Sequence, residues 1–166
     1  SNKLKTSSVG RLFDALASLL DLCDVNSYEG EGAILLENAV ADYDPNLLRV
    51  YVEPGKDGRV PTYLLWERLY SDFKDGLKKE AIILNFLFTL AHVILEMAEL
   101  KGFRKIALSG GVFQNTVLID MLQELSENKV ELFFNRNLAP NDENIAIGQL
   151  MYYNHCIVKQ KKKPSH

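Results

Sequence analysis

Two short stretches of this 166-residue chain place glycine and acidic residues where ligands commonly bind. Gly110 and Gly111 follow the apolar run KIALS and precede an amphipathic helix pattern. Asp142 follows a second strand pattern, KVELFFN, and precedes the last helix pattern. In a parallel sheet the loops after the strands meet at one edge, where phosphates and sugars bind. We therefore expect Gly110, Gly111 and Asp142 to lie on the same side of one sheet.

The glycine pair has a functional interpretation and a structural one. Glycines at such a junction let a phosphate or sugar approach the backbone, and the N-terminus of the next helix supplies N–H groups and a partial positive charge. Asn115 would lie on the first turn of that helix, where it can hydrogen-bond a ribose or a base edge. The same glycines could instead only form a tight turn that packs a helix closely against a strand. The order of strand, glycines and helix favours a ligand more than a glycine pair alone, but it is not a Walker-type loop.

Asp142 also has two interpretations, because Asn141 or Asp142 could simply cap the last helix. A catalytic metal needs several protein ligands, and His92, His155 and His166 do not pair at helical spacing. If Asp142 binds a metal, the other ligands must come from elsewhere. The sequence also lacks a Ser/His/Asp, Cys/His or paired-carboxylate arrangement and a G-x-S-x-G nucleophile motif. Local chemistry therefore indicates a nucleotide-binding lobe without a catalytic group of its own.

The elements that must position these residues form two parts of one predicted α/β lobe. Residues 1–102 contain four helix patterns and the alternating run LLRVYVE, which predicts a half-buried strand with Leu48, Val50 and Val52 inward. Residues 103–158 alternate between strand and helix, which predicts a right-handed βαβ unit with parallel strands. Residues 159–166 form a basic tail.

Composition narrows the environment and the partners. The net charge of -3 gives no global signal for nucleic-acid binding, and the two cysteines, Cys23 and Cys156, lie far apart, as in proteins of a reducing compartment. The most apolar stretch, residues 81–100, contains Asn85, His92 and two glutamates, which favours a buried central helix over a membrane span. We expect a cytoplasmic protein with neither a nucleic-acid nor a membrane partner.

Four motifs in register carry a specific resemblance. The stretches SSVGRLFDALASLL, SYEGEGAILLE, LSGGVFQN and PNDENIAIGQ resemble the C-terminal end of the HypF-type carbamoyltransferases of nickel–iron hydrogenase maturation. The resemblance implies an RNase H-like lobe of the actin-like, sugar-kinase ATPase superfamily, with helical insertions around the βαβ unit. The chain would be the second of two lobes around a nucleotide cleft, cut from a longer protein.

The resemblance also implies a reaction. The family uses carbamoyl phosphate and ATP to form carbamoyl adenylate. The carbamoyl group then passes to the C-terminal cysteine of a HypE-type partner, which converts it to the cyanide ligand of the hydrogenase iron. No catalytic residue is expected within this chain, and the isolated lobe is expected to be inactive.

Seven residues receive roles by their place in the matching motifs. The nucleotide-binding residues would be Asp14, Gly30, Glu31, Gly110, Gly111 and Asn115. Within this set, the resemblance assigns Asp14 to the ribose hydroxyls. Asp142 would be a ligand to iron or another divalent metal ion. Two histidines of an HxxxH motif in the other lobe, absent from this chain, would complete that metal site.

Two alternatives remain open from the sequence. The chain could be a lobe of a tRNA threonylcarbamoyltransferase, although the acidic balance argues mildly against a tRNA partner. It could also be a non-catalytic interaction module, in which the glycines only pack and the long apolar helix docks a partner.

Overall fold

The computed structural model describes residues 8–40, 43–127, 129–135 and 137–158, so the predicted basic tail lies outside the described residues. Six α-helices and two strands follow each other in these ranges: α1 Gly10–Leu19, α2 Glu31–Asn38, α3 Thr62–Lys74, α4 Lys79–Leu100, β1 Lys105–Leu108, α5 Thr116–Leu125, β2 Glu131–Phe134 and α6 Ile145–Tyr152. Short 3-10 turns at Pro45–Leu47, Gly111–Gln114 and Asp142–Asn144 separate some of them, and a π-helical segment, Tyr153–Val158, follows α6.

The long apolar helix α4 lies at the centre of the core. Nine of its residues are buried, and it packs against α3 and α5. The Phe86 ring meets the Phe13 ring of α1 edge to face, with centroids 5.2 Å apart. Each large apolar side chain buried in this way contributes about 1.5–3 kcal/mol. One cluster of buried side chains extends from α1 through α4 to β1 and α5.

The same helix has the length and composition of a membrane span. Among the described helices only α4 meets that criterion, and 56% of its most apolar window is buried inside the protein. Its polar Asn85 and Thr89 are buried and hydrogen-bonded to the segment at residues 49–51. This packing is that of a core helix, as the sequence indicated.

The predicted strand in LLRVYVE is absent, and that prediction was wrong. The segment is extended, but it contacts α4 instead of another strand: the N–H of Arg49 donates to Asn85 Oδ1 at 3.0 Å and the N–H of Tyr51 donates to Thr89 Oγ1 at 2.9 Å. Tyr51, which the alternation placed outward, is buried, and its hydroxyl donates to Asp72 Oδ2 at 2.5 Å. Burial and this hydrogen bond raise the pKa of Tyr51 far above its usual range.

The two strands form the predicted parallel pair. β1 aligns with β2 from Lys105 opposite Glu131 to Leu108 opposite Phe134. Helix α5 connects them and buries Leu118, Met121 and Leu122 against the core. The fold is therefore α/β with a parallel βαβ unit and added helices, as expected.

The last helix differs from the others in its surroundings. A 3-10 turn, Asp142–Asn144, precedes it, and α6 itself begins at Ile145. No residue of α6 is buried, although the helix is almost entirely apolar. Its exposed large apolar side chains include Ile145, Ile147, Leu150, Met151 and Tyr152.

Candidate functional site

The loops after the two strands lie together at one edge of the sheet. The N–H of Gly110 donates to the carbonyl oxygen of Pro140 at 2.5 Å, and Asn135 Nδ2 donates to Ser109 Oγ at 3.3 Å. Because β1 and β2 are parallel, these loops, residues 109–115 and 135–144, follow the carboxyl ends of both strands. We call them the strand-end loops. Their hydrogen bonds confirm that the glycine turn and the Asp142 turn share one edge.

Gly110 is required by the backbone rather than by packing. Its φ of 113° and ψ of 158° fall in a region that is essentially accessible only to glycine. A Cβ at this position would meet nothing within 4 Å, so side-chain crowding is not the reason. Gly111 begins the 3-10 turn in a backbone conformation open to other residues, and an added Cβ there would approach only Gln114 Oε1, at 3.9 Å. The two glycines therefore play different roles.

Asn115 caps helix α5 instead of lying on its first turn. Its Oδ1 accepts a hydrogen bond from the N–H of Leu118 at 2.8 Å. The side chain is only 5% exposed, and its Nδ2 has no hydrogen-bond partner among the described residues. The structure therefore gives Asn115 a capping role, and its contact with a nucleotide stays a prediction.

The N-terminus of α5 is partly occupied by the protein itself. Glu37 Oε1, near the end of α2, accepts hydrogen bonds from the Thr116 N–H at 2.8 Å and from its hydroxyl at 2.5 Å. The N–H groups of Gly111 and Val112, at the start of the 3-10 turn, have no partner among the described residues, and neither has that of Val117 in the first turn of α5. Glu37 thus occupies part of the helix N-terminus, while the 3-10 turn keeps two successive N–H groups without a described partner.

Asp14 meets the first turn of α2. Its Oδ1 accepts a hydrogen bond from Asn26 Nδ2 at 2.9 Å, and Asn26 Oδ1 accepts one from the Gly32 N–H at 3.1 Å. Oδ2 of Asp14 has no partner among the described residues. Asp14 is half-buried on α1. Its carboxylate contacts the α1–α2 loop, residues 20–30.

Gly30 and Glu31 form the start of α2. Gly30 has a φ of 81° at the N-cap, a conformation that favours glycine. Glu31 Oε2 accepts hydrogen bonds from the N–H of Ser27 at 2.5 Å and from its hydroxyl at 2.8 Å. These bonds favour the ionised carboxylate and lower the pKa of Glu31 below its usual 4.5. Glu31 therefore has a structural role of its own, and its nucleoside contact stays a prediction.

The seven residues consequently form two groups. Gly30 and Glu31 form the start of α2, to which Asn26 links Asp14 of α1, and the other four lie in the strand-end loops. Glu37 joins the groups, since it belongs to α2 and binds Thr116, the residue after Asn115. Glu31 and Glu37 are about 9 Å apart along the helix axis.

Asp142 is exposed at the start of its 3-10 turn. The cap of this turn is Asn141, whose Oδ1 accepts from the Glu143 N–H at 3.2 Å. Nearby, Asn144 Nδ2 is buried without a hydrogen-bond partner among the described residues. No group of three or more His, Cys, Asp or Glu side chains that could hold a metal ion occurs in the described part of the chain. Asp142 alone does not form a metal site.

Comparison with known proteins identifies the family. The family model described as the second subdomain of the Kae1-like domain of carbamoyltransferases matches residues 1–149. The chain belongs to this carbamoyltransferase family. It is 34% identical over 150 residues to carbamoyltransferase HypF of Synechocystis sp. and 31% identical over 147 residues to that of Rhodobacter capsulatus. Each match covers 88% of this chain and 19% of the relative, so the chain spans about a fifth of their length.

A solved structure supports the same assignment for this carbamoyltransferase subdomain. The crystal structure of full-length HypF in a phosphate- and nucleotide-bound form matches 90% of the chain and 24% of its own chain, with a TM-score of 0.73 and 31% identity. The resemblance predicted from the four motifs is confirmed, and the α/β fold with it.

One surface concavity of the subdomain reaches a strand-end loop, although none of the seven residues lines it. It runs along β2 and is lined by residues 131–135, Asn137 and Leu138. It follows the open outer side of a two-stranded sheet. We therefore base the candidate site on the hydrogen-bonding groups of the strand-end loops and of the start of α2.

Sequence reasoning missed three residues that organise the candidate site. The Ser27 hydroxyl donates a hydrogen bond to Glu31, four residues later. A serine at this spacing before a helix start could have been recognised in the sequence. Asn26 bridges Asp14 and Gly32 within a loop that has no periodic pattern. Glu37 binds Thr116, which is 79 residues away in sequence, so no local signal reveals the pair.

Proposed function

We propose that this subdomain is half of the nucleotide site of a hydrogenase-maturation carbamoyltransferase. The longer protein would use carbamoyl phosphate and ATP to form carbamoyl adenylate and would transfer the carbamoyl group to the C-terminal cysteine of a HypE-type partner. The site would work in the cytoplasm. The isolated chain would be inactive, because it supplies no nucleophile, acid or base to the reaction.

One observation carries this proposal: the strand-end loops are joined at the edge of a parallel sheet with two backbone N–H groups unused. The Gly110 N–H holds the Pro140 carbonyl, and the N–H groups of Gly111 and Val112 have no partner among the described residues. Successive free N–H groups in a glycine turn are a common anion-binding arrangement. They suit a phosphate of ATP or of the adenylate.

The start of α2 would receive the ribose. Asp14 Oδ1 is held by Asn26, while Oδ2 has no described partner. A carboxylate oxygen accepts hydrogen bonds from vicinal hydroxyls, and bonds to a charged acceptor are stronger than neutral ones. The nucleoside would then lie between α2 and the strand-end loops.

In the transfer step the sulfur of the partner's cysteine attacks the carbamoyl carbon. A C–S bond forms, the bond from that carbon to the AMP oxygen breaks, and the thiol proton is released. The N–H groups of the glycine turn would stabilise the charge on the departing phosphate. Holding the adenylate beside the cysteine would supply most of the rate advantage through positioning.

The described residues do not by themselves fit the divalent metal that the resemblance implies. They offer one exposed carboxylate, Asp142, and no group of three possible ligands. A catalytic metal would require the histidines of the other lobe, so we assign no step of the reaction to it. The chain alone should not bind iron tightly.

The proposal is tested at two levels. Titration of the isotopically labelled chain with a non-hydrolysable ATP analogue should shift the amide signals of residues 109–115 and 30–32, and leave those of α3 unchanged. The longer carbamoyltransferase should release AMP only with carbamoyl phosphate present, and the HypE-type partner should stimulate it. Stimulation by tRNA instead would favour a threonylcarbamoyltransferase, and an absence of any shift or AMP release would favour an interaction module.

A further inference from the structure

We infer that Asn26 is a positioning residue that sets the orientation of the Asp14 carboxylate for the ribose. This inference rests on the proposed nucleotide site. Asn26 lies in the α1–α2 loop, outside the residues to which the resemblance assigns a role.

Asn26 uses both ends of its amide. Nδ2 donates to Asp14 Oδ1 at 2.9 Å, and Oδ1 accepts from the Gly32 N–H at 3.1 Å and from the Cys23 thiol at 3.3 Å. One side chain therefore ties α1 to the first turn of α2. Rotating the amide by 180° would set its NH2 group against the Gly32 and Cys23 donors, so these contacts define its orientation.

The packing at Gly32 shows that this arrangement is closely fitted. A Cβ added at Gly32 would lie 3.2 Å from the Ala17 Cβ and 3.4 Å from both Asn26 Oδ1 and Asp14 Oδ1. Only the contact with Ala17 would be tight, and a Cβ would touch both side-chain oxygens at ordinary van der Waals distance. The carboxylate is thus held by a hydrogen bond on one oxygen and lies beside the first turn of α2.

The chemistry explains why asparagine suits this position. An amide offers a donor for the carboxylate and an acceptor for the backbone N–H at the same time. Aspartate would keep the acceptor, lose the donor and place a second negative charge beside Asp14. Alanine would lose both contacts and leave the Asp14 carboxylate free to rotate.

Ribose selectivity distinguishes positioning from general stability. If Asp14 binds the ribose hydroxyls, the site should prefer ATP over 2′-deoxy-ATP by about tenfold, since hydrogen bonds to charged groups are strong. Loss of orientation should reduce that preference. A loop that is merely less stable should weaken the binding of both nucleotides by the same factor and leave their ratio unchanged.

The experiment measures the dissociation constants of both nucleotides for the full chain by NMR titration. Asp14→Asn, Asn26→Ala and Asn26→Asp should each bring the ratio of the two constants close to one. Ser18→Ala is the matched control, because it removes the 2.9 Å hydrogen bond from Ser18 Oγ to Asp24 Oδ1 at the same loop without touching Asp14. It should keep the wild-type ratio.

A second measurement works without ligand. The Hα–Hβ couplings of Asp14 should report one side-chain rotamer in the wild type and in Ser18→Ala, and an average of rotamers in Asn26→Ala. If the wild type binds neither nucleotide, or both equally, the proposed ribose role of Asp14 is wrong, while the couplings still test the orientation by Asn26. If Asn26→Ala keeps a single rotamer and the wild-type ratio, Asn26 does not position Asp14.

Discussion

Helices α4 and α6 have similar apolar composition and opposite surroundings. α4 buries nine residues between α3 and α5, whereas α6 buries none. Phe86 of α4 is completely buried, and Leu150 of α6 is 69% exposed. The hydrophobicity of a helix therefore does not by itself show whether the same chain covers it.

The contrast extends to the regions around the two helices. Around α4 the structure is determined by interlocking side chains, such as Phe13 against Phe86. Beside α6 the strand-end loops are determined by backbone conformation and hydrogen bonds, such as the contact of Gly110 with Pro140. The packed region gives the subdomain its stability, and the loops keep polar groups available for a ligand.

The largest expected effect tests the packed side of this comparison. Phe86→Ala should destabilise the chain by about 3–5 kcal/mol, because it removes a fully buried ring and leaves a cavity. Urea unfolding followed by circular dichroism gives the change in the free energy of unfolding.

The matched control is Leu150→Ala in α6. An exposed side chain contributes little, so the free energy of unfolding should change by less than about 0.5 kcal/mol. A loss of several kcal/mol on Leu150→Ala would show that α6 is covered in solution, and the contrast between the two helices would then be wrong.

The next effect tests the role of the backbone in the strand-end loops. Gly110→Ala should cost about 1–3 kcal/mol, because alanine must adopt the unfavourable φ of 113°. Gly111→Ala should leave stability almost unchanged, since a Cβ there meets only Gln114 Oε1 at 3.9 Å. Thermal unfolding of the two variants compares these costs directly.

Nucleotide binding tests a second role of the strand-end glycines, the contact of the turn at Gly111 with a phosphate. Gly111→Ala should weaken binding of the ATP analogue because its Cβ would stand beside the free N–H groups. Gly102→Ala is the control for backbone strain, since Gly102 has a φ of 70°, has open space around it and lies outside the strand-end loops. It should lose stability and keep binding. Unchanged binding by Gly111→Ala would count against a phosphate at this turn.

The sequence predicted the parts of the fold that depend on local pattern. The long apolar stretch at residues 81–100 predicted the central helix, and α4 covers that stretch. The shared edge of the strand-end loops follows from two strands joined by one helix. By contrast, the extended run at residues 48–53 was predicted as a strand, because alternation cannot show that Asn85 and Thr89 of α4 would receive its N–H groups.

The candidate site was predictable in part for the same reason. Gly110 and Asp142 could be placed by topology, but the capping role of Asn115 depends on where α5 begins, after a 3-10 turn. The contact of Glu37 with Thr116 joins residues far apart in the chain. Interactions of this kind arise only from the packed structure, and they hold together the two groups of site residues.

The smallest expected effect concerns Glu31, at the start of α2 between the packed region and the candidate site. Its folded-state pKa lies below 4.5 because Ser27 donates two hydrogen bonds to the carboxylate. The ionised form is therefore favoured by folding, and its stabilising contribution is complete above pH 4.5 and lost as the pH falls through the folded-state pKa. Glu31→Gln should reduce the free energy of unfolding at neutral pH, and the difference from the wild type should shrink below pH 4.5.

Ser27→Ala is the matched variant, because it removes only the hydroxyl donor. It should move the pKa of Glu31 part of the way back towards its usual value, as measured by NMR titration of the carboxyl carbon. An unchanged Glu31 pKa in Ser27→Ala would mean that hydrogen bonding from the Ser27 hydroxyl does not contribute to the start of α2.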